Sequence, residues 1–160
     1  MSPEVPRGRC VWHELMTTDP AATQSFYTRL TGWSAQMWDG RPTPYTMWMN
    51  GDTAVGGLMQ LLDEAKQQGA YPHWLAYIAT PDVDVTTADV AARWGRLPGP
   101  PAWRPYLSVD NVDDRVQTVK QLGGQVLDGP MDVPGGDRVA PCLDTQGAAF
   151  ATCSTATISG

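Results

Sequence analysis

The side chains best suited to chemistry stand near the start of the chain, in the segment VWHELM at residues 11–16. His13 and His73 are the only histidines of the 160 residues, and each could ligate a metal. Glu14 could act as a general acid or base. Which chemistry is available depends on which of these side chains point into one cavity.

Alternation along residues 11–16 predicts a strand. Successive side chains of a strand point to opposite faces, so Trp12, Glu14 and Met16 share one face and His13 lies on the other. A shift of one residue in the pairing of this strand would exchange the two faces. The pairing register therefore decides whether His13 or Glu14 faces inward.

A helix is predicted after this strand. Asp19 is suited to cap it, Pro20 to occupy its first turn, and Gly32 to end it. Its apolar residues recur at helical spacing: Phe26, Tyr27, Leu30 and Trp33. The helix would hold the strand in place by packing on one of its faces.

Three strands are predicted next, at residues 33–38, 45–50 and 53–62, separated by the turn-forming segments DGRPTP and NGD. A charged link follows. Three further strands are predicted near the end of the chain, at residues 125–130, 137–144 and 148–155. Together with the first strand and helix, these elements predict an α+β fold.

A strand followed by a helix recurs twice, from residue 73 and from residue 105. The two copies align Tyr77 with Tyr106 and Asp84 with Asp113, which indicates an internal repeat. Between them, RLPGPPAWR is too rich in proline to be helix or central strand.

Composition and charge limit the possible functions. Hydrophobic residues make up 42% and charged residues 18% of the chain, as expected of a globular domain. The formal net charge of -6 argues against nucleic acid or an anionic membrane as partner. No apolar run could span a bilayer, and the polar start lacks the apolar stretch of a signal peptide. We therefore expect a cytoplasmic protein.

The three cysteines, Cys10, Cys142 and Cys153, are widely spaced and form no CxxC pair. This spacing predicts neither a disulfide framework nor a zinc site. No adjacent histidine or basic cluster is evident that would activate any of them, so we expect inert free thiols.

An ordered set of motifs resembles the vicinal oxygen chelate superfamily, which contains glyoxalases, extradiol dioxygenases, and bleomycin- and fosfomycin-resistance proteins. The motifs are WHELMTTDPAATQSFYTRLTGW, VGGLMQL, PHWLAYIATPDVD, VKQLGGQV and LDTQGAAFA. The resemblance implies a single α+β domain of two βαβββ modules, whose curled mixed sheets form a cleft. It also implies a homodimer.

The modules implied by the resemblance span residues 10–70 and 71–155. The second has two candidate first strands, at residues 73–80 and 104–110. We prefer the assignment in which residues 103–124 carry the module's own strand and helix, so that a strand–helix insertion lies within residues 73–103. The opposite assignment remains open.

The superfamily resemblance also predicts four metal-ligand positions, and most hold residues that cannot ligate. They fall on Trp12, on Ala151, on Leu75 or Arg104, and within residues 56–61, where only Gln60 has a donor. We therefore predict no metal and no other cofactor.

A cleft without metal would be lined by large apolar side chains. Glu14 is the candidate catalytic residue, since desolvation in an apolar cleft favours the neutral form of a carboxyl group. The alternative is that Glu14 only forms an ion pair with Arg104 or Arg138. The predicted ligand-binding residues are Trp12, Met16, Trp48, Met59, Trp103, Arg104 and Tyr106.

These features support three hypotheses. In the first, the protein binds a small hydrophobic or aromatic molecule without metal, as the resistance members of the superfamily do. In the second, it is a metal-free enzyme that uses Glu14 in an isomerisation or cyclisation. The third, a metal-dependent glyoxalase or dioxygenase, ranks last because Trp12 and Ala151 replace ligands.

Overall fold

The computed structural model describes residues 8–39, 44–94 and 104–155, which form ten strands and four helices. In chain order the elements are β1 (Cys10–Thr17), α1 (Pro20–Thr31), β2 (Ser34–Trp38), β3 (Tyr45–Asn50), β4 (Thr53–Gln60), α2 (Asp63–Gln67), β5 (His73–Ile78), α3 (Val83–Trp94), β6 (Tyr106–Ser108), α4 (Val112–Gln121), β7 (Gln125–Val126), β8 (Met131–Asp132), β9 (Arg138–Leu143) and β10 (Ala149–Ser154).

The strands form two mixed sheets of five strands each. The first has the order β2-β3-β4-β1-β5, and the second has the order β6-β10-β9-β7 with β8 also paired to β9. In each sheet a single pair is parallel, β1 with β4 and β6 with β10. The predicted α+β class with two mixed sheets is confirmed, and neither sheet closes into a barrel.

The two sheets repeat one connection. In the first, β1 leads through α1 to an antiparallel run that ends with β4 beside β1. In the second, β6 leads through α4 to a run that ends with β10 beside β6. Strand β5 and helix α3 lie between these units in the chain, and β5 pairs antiparallel with β1. The division of the chain into modules at residues 70 and 71 stays a prediction.

Helix α1 begins and ends as its sequence predicts. Asp19 is extended and its Oδ1 accepts a hydrogen bond from the Ala22 N–H at 3.0 Å. Gly32 adopts φ 78°, a left-handed conformation that costs glycine little, and its N–H donates to the Thr28 carbonyl at 3.0 Å. These two ends fix which face of α1 meets the sheets.

The aromatic residues of α1 connect the two sheets. The Tyr27 ring lies 5.9 Å from Trp48 of the first sheet and 5.6 Å from Phe150 of the second, measured between centroids. Phe26 also contacts Phe150, at 5.9 Å. One core therefore holds both sheets, with apolar residues of α4 completing it: Val112, Val116 and Val119.

Close packing in this core requires Gly124, at the residue after the α4 turn. A Cβ atom there would lie 2.8 Å from the Leu143 carbonyl oxygen and 3.0 Å from Cε2 of Phe26. Any larger residue would force the Leu143 backbone or the Phe26 ring to shift, which disturbs a closely packed core.

A buried hydrogen-bond chain crosses the core. The Trp74 Nε1 donates to the Tyr27 hydroxyl at 3.1 Å, and this hydroxyl donates to Asp144 Oδ2 at 3.2 Å. Burial and the neighbouring carboxylate raise the pKa of Tyr27, so its hydroxyl keeps the proton that it donates. The chain links β5, α1 and the turn between β9 and β10.

Asp144 gives the fold a predicted pH dependence. Its side chain is 4% exposed, and burial raises its pKa although the N–H groups of Ala148 and Gln146 and the Tyr27 hydroxyl oppose the shift. The folded state therefore holds the proton of the Asp144 carboxyl group more tightly than the unfolded state does. The resulting contribution to the free energy of unfolding is fully present below the unfolded pKa of about 3.9, and it is lost as pH rises through the pKa of the folded state.

Asp144→Asn removes this titration. We therefore expect the unfolding free energy of wild type, relative to that of the variant, to fall as pH rises from about 4 towards neutrality. Urea unfolding at a series of pH values measures the difference. A difference that is constant with pH, or that grows with pH, would contradict this assignment.

None of the helices in the described part of the chain is long and apolar enough to cross a bilayer.

Candidate active face of the first sheet

The functional side chains sit on the face of the first sheet that points away from α1. Leu15 and Trp48, on the opposite face, are fully buried in the core. Thr17 lies on that same inner face, where its hydroxyl hydrogen bonds to Thr23 of α1 at 2.7 Å. Alternation therefore turns Glu14 to the outer side of β1. We call this side the Glu14 face, and its residues include Trp12, Glu14, Met16, Trp38, Tyr45, Met47, Gly57, Met59, His73, Leu75 and Tyr77.

Strand register brings these residues together from four strands. On the β5 side, Trp12 lies opposite Tyr77 and Glu14 lies opposite Leu75. On the β4 side, Glu14 lies beside Gly57 and Met16 beside Met59. Paired residues point to the same side of a sheet, so the carboxylate has neighbours on both flanks.

Glu14 is a buried carboxylate that no cation neutralises. It is 6% exposed, and its Oε2 accepts a hydrogen bond from the Tyr77 hydroxyl at 2.6 Å. Within the described ranges, no basic side chain lies within 4.0 Å of it. The alternative of an ion pair with Arg138 is wrong, because Arg138 binds Asp113 and Asp132 instead, at 2.7 and 2.8 Å.

An aromatic pair borders the carboxylate on one side. The Trp12 Nε1 donates to the Tyr45 hydroxyl at 2.8 Å. This hydroxyl lies directly over Gly57, where any Cβ atom would overlap it. The absence of a side chain at Gly57 therefore leaves the room in which Tyr45 and Trp12 meet beside Glu14.

Three methionines make much of the face adaptable and apolar. Met16, Met47 and Met59 are all half-buried, and thioether side chains adjust to the shape of a guest. The face thus presents flat aromatic rings, flexible apolar side chains and one carboxylate with a hydroxyl beside it. It can hold a hydrophobic molecule and accept a hydrogen bond from it.

A family model now identifies the fold. The model described as Glyoxalase/Bleomycin resistance protein/Dioxygenase superfamily matches residues 9–152. The chain belongs to this superfamily.

Curated relatives connect this superfamily member to two kinds of protein. It is 30% identical over 145 residues to the anthracycline biosynthesis protein DnrV of Streptomyces peucetius, covering 90% of this chain and 46% of the relative. It is also 30% identical over 144 residues to the putative glyoxylase CFP32 of Mycobacterium tuberculosis, covering 89% and 42%. The chain thus spans less than half the length of these relatives.

Solved structures of the superfamily share the fold. A family enzyme from Burkholderia phytofirmans aligns with a TM-score of 0.52 at 16% identity, over 89% of this chain and 94% of that one. The hypothetical protein SA1046 from S. aureus aligns at 0.56 and 19% identity, over 91% and 96%.

The residues at the predicted metal-ligand positions do not fit a metal. Trp12 and Leu75 lie on the Glu14 face but offer no oxygen or imidazole ligand, and Ala151 has no donor atom. Gln60 pairs with Thr17, which places it on the other face. Nowhere in residues 8–39, 44–94 and 104–155 do three His, Cys, Asp or Glu side chains converge as a ligand set.

The two histidines do not supply the missing metal ligands. His13 shares the inner face with Leu15, so the register that would exchange His13 and Glu14 between the two faces is not formed. His73 lies opposite Met16 and so on the Glu14 face, and its Nδ1 is 2.5 Å from the Tyr71 carbonyl oxygen. We derive no step that requires a metal.

The predicted ligand-binding residues fall into separate groups. Trp12, Met16 and Met59 lie on the Glu14 face. Trp48 lies in the core, fully buried, where its ring is 6.2 Å from that of Trp33, so it cannot line an open face. Trp103 lies outside the described residues.

Arg104 and Tyr106 are placed elsewhere too. Arg104 lines a cavity of about 210 Å³ and Tyr106 lines one of about 340 Å³, both of which include His13 from the inner side of β1. Neither cavity includes Glu14. The predicted ligand-binding residues within the described ranges are thus divided among the Glu14 face, the core and these two cavities.

A cavity of about 470 Å³ also lies off the Glu14 face. It is bordered by Pro20, Met37, Leu58 and Leu61 beside the start of α1. Among the described residues that line it, Asp63 is the titratable one, and the pKa of Asp63 is lowered by its hydrogen bond from Lys66. Volume alone is a weaker guide to function than a buried carboxylate, so we keep the Glu14 face as the candidate site.

Sequence reasoning missed Tyr45 and Tyr77 as members of the face, and it named Leu75 only as one alternative for a metal-ligand position. The alternation in HWLAYI does place Leu75 and Tyr77 on one side of β5. What the sequence lacked was the pairing of β5 with β1, which brings Tyr77 to the carboxylate.

Proposed function

We propose that this protein binds a small, flat, hydrophobic or aromatic molecule on the Glu14 face without the help of a metal. The observation that carries the proposal is the Glu14 carboxylate itself, 6% exposed and held by the Tyr77 hydroxyl at 2.6 Å. A carboxylate removed from water loses solvation energy, and a ligand that donates a hydrogen bond would restore part of it.

The surroundings of Glu14 favour an aromatic guest. A flat ring stacked on Trp12 gains about 0.5–1.5 kcal/mol beyond the burial of its area. Apolar burial against the three methionines contributes about 25 cal/mol per Å². Hydroxyl or amine groups at the edge of the ring would donate hydrogen bonds to the Glu14 carboxylate.

The relatives support a role in natural-product metabolism. DnrV is named as an anthracycline biosynthesis protein, and anthracyclines are organic natural products. This chain spans less than half of that protein, so we carry over only the class of small organic ligand. We also propose a homodimer, which light scattering of the purified protein would measure.

The second candidate function is a metal-free enzyme with Glu14 as acid or base. The contact that favours it is the hydrogen bond between Tyr77 and Glu14 Oε2, which orients the carboxylate on a face open to ligand. An isomerisation or cyclisation would need only such a proton transfer. The metal-dependent function ranks last because Trp12 and Ala151, at two of the predicted ligand positions, cannot ligate a metal.

Glu14→Gln tests the carboxylate directly. The probe is 2,6-dihydroxyanthraquinone, whose hydroxyl groups lie at the edge of the ring system and can donate to Glu14. Unsubstituted anthraquinone, which has no hydrogen-bond donor, is the control ligand. A hydrogen bond to a charged group contributes about 1.5–3 kcal/mol, so the variant should bind the dihydroxy probe at least about tenfold more weakly. Its affinity for anthraquinone should change little.

Quenching of tryptophan fluorescence measures both affinities. Glu64→Gln is the matched control, because Glu64 is an exposed residue of α2 with the same charge. Equal affinities of wild type and Glu14→Gln for the dihydroxy probe, in a folded variant, would remove Glu14 from the site. Recovery of candidate natural substrates unchanged would favour binding over catalysis.

A further inference from the structure

We propose that Cys10 and His13 form a second site on the opposite side of β1, where the thiol adds to a small aromatic α,β-unsaturated carbonyl compound. The ligand class of this site is a conjugate acceptor, and neither Cys10 nor His13 belongs to the Glu14 face.

A bulge in β1 builds the pair. Cys10 lies opposite Ile78 and Trp12 lies opposite Tyr77, so three residues of β1 face two of β5. In a regular strand Cys10 would share the face of Trp12. The extra residue instead turns Cys10 towards the side of His13, as bulges do when they redirect a side chain.

The resulting contact joins a nucleophile to a base. Cys10 Sγ lies 3.4 Å from His13 Nε2, and also 3.4 Å from the Trp12 carbonyl oxygen. When the imidazole carries its hydrogen on Nδ1, Nε2 can accept the thiol proton. The expectation that all three cysteines lack a neighbouring histidine is therefore wrong for Cys10.

The pair opens into a space that fits a small guest. Cys10, His13, Trp74 and Arg104 line a cavity of about 210 Å³. A neighbouring cavity of about 340 Å³ shares His13 and Trp74 and adds further aromatic walls from Trp33 and Tyr106. Both Cys10 and His13 are half-buried, so a ligand can reach them.

These walls determine the kind of acceptor. The indole and phenol rings suit a flat aromatic group. Arg104 supplies a permanent positive charge to the cavity that contains the thiol. Such a charge would stabilise the carbonyl oxygen of an acceptor as that oxygen becomes negative.

The addition balances without any other reactant. His13 takes the thiol proton while Cys10 Sγ forms a bond to the β-carbon of the acceptor. The carbon–carbon π bond breaks, and its electrons move to the carbonyl to give an enolate. The imidazolium then returns the proton to the α-carbon. The product is a thioether in which S–H has been added across the double bond.

The other two thiols are internal controls. Burial raises the pKa of the Cys142 thiol to about 11, and this side chain is fully buried. Burial and the Asp137 carboxylate raise the pKa of the Cys153 thiol. Since the thiolate is the nucleophile, both should react slowly near neutral pH.

N-phenylmaleimide at substoichiometric amounts tests the proposal, with adducts located by peptide mapping. In wild type we expect the first adduct on Cys10, formed at least about tenfold faster than on Cys153. Cys10→Ser should abolish this fast phase, whereas Cys153→Ser should leave it unchanged. His13→Gln should slow it at least about tenfold with the circular dichroism spectrum preserved.

Two results would overturn the proposal. One is a wild-type map in which Cys10 reacts no faster than Cys153, and this result does not depend on any variant folding. The other is a folded His13→Gln protein that reacts at Cys10 as fast as wild type. If Cys10 reacts much faster with N-phenylmaleimide than with N-ethylmaleimide, this supports the proposed contact between the aromatic cavity residues and the aromatic group of the acceptor. Equal rates would remove that contact from the proposal.

Discussion

Trp48→Ala is expected to lower the free energy of unfolding by about 3–5 kcal/mol, the range for deleting a large aromatic side chain from a core. Trp48 is fully buried, and its ring contacts those of Tyr27 at 5.9 Å and Trp33 at 6.2 Å. Alanine would leave a cavity between β3 and α1. Urea unfolding followed by circular dichroism measures the loss.

Two further variants serve as controls: one separates packing from polarity at Trp48, and the other is a substitution at an exposed position. The Trp48 Nε1 finds no acceptor among the described residues, so Trp48→Phe gives up no hydrogen bond and should cost less than the alanine variant. Met37→Ala, at a residue 58% exposed on β2, should stay within about 0.5 kcal/mol of wild type. A Trp48→Ala protein as stable as Met37→Ala would contradict the placement of Trp48 in the core.

Trp12→Ala is expected to weaken the binding of both anthraquinone probes by about 10–100-fold. Loss of a stacking partner and of its apolar area removes about 1.5–3 kcal/mol of ligand contact. The effect on folding should be smaller, about 1 kcal/mol, since Trp12 is half-buried on an outer face and its hydrogen bond goes to Tyr45. Equilibrium titration with each probe gives the affinities.

Trp12→Phe is the matched control for this prediction. It keeps an aromatic ring and loses only the Nε1 donor, so most of the affinity should return. If Trp12→Ala bound both probes as tightly as wild type, the ligand would lie elsewhere, and the cavity beside the start of α1 would become the leading site.

Local sequence signals predicted much of the fold. Strand β3 matches its predicted bounds, because turn segments limit it on both sides. Helix α1 begins and ends at its predicted capping residues, Asp19 and Gly32. Strand β8 was missed, since it has two residues and is defined only by its pairing with β9. Elements that are marked by local sequence signals can therefore be predicted, whereas short strands that are defined only by their pairing cannot.

The location of the candidate site depends on contacts between strands, which no local sequence pattern contains. Alternation placed Trp12, Glu14 and Met16 on one face, and the structure has them so. Alternation could not decide which side of β3 faces the core, so Trp48 was assigned to the ligand instead of Met47. The bulge that turns Cys10 towards His13 is a property of the pairing between β1 and β5.

The most direct test of the central claim is the affinity for 2,6-dihydroxyanthraquinone after exhaustive chelation, repeated with zinc, nickel or manganese restored. Because the described residues of the Glu14 face offer no set of three metal ligands, the dissociation constants should agree within about twofold in all conditions. Binding that vanishes on chelation and returns with a divalent metal would contradict metal-independent binding on this face.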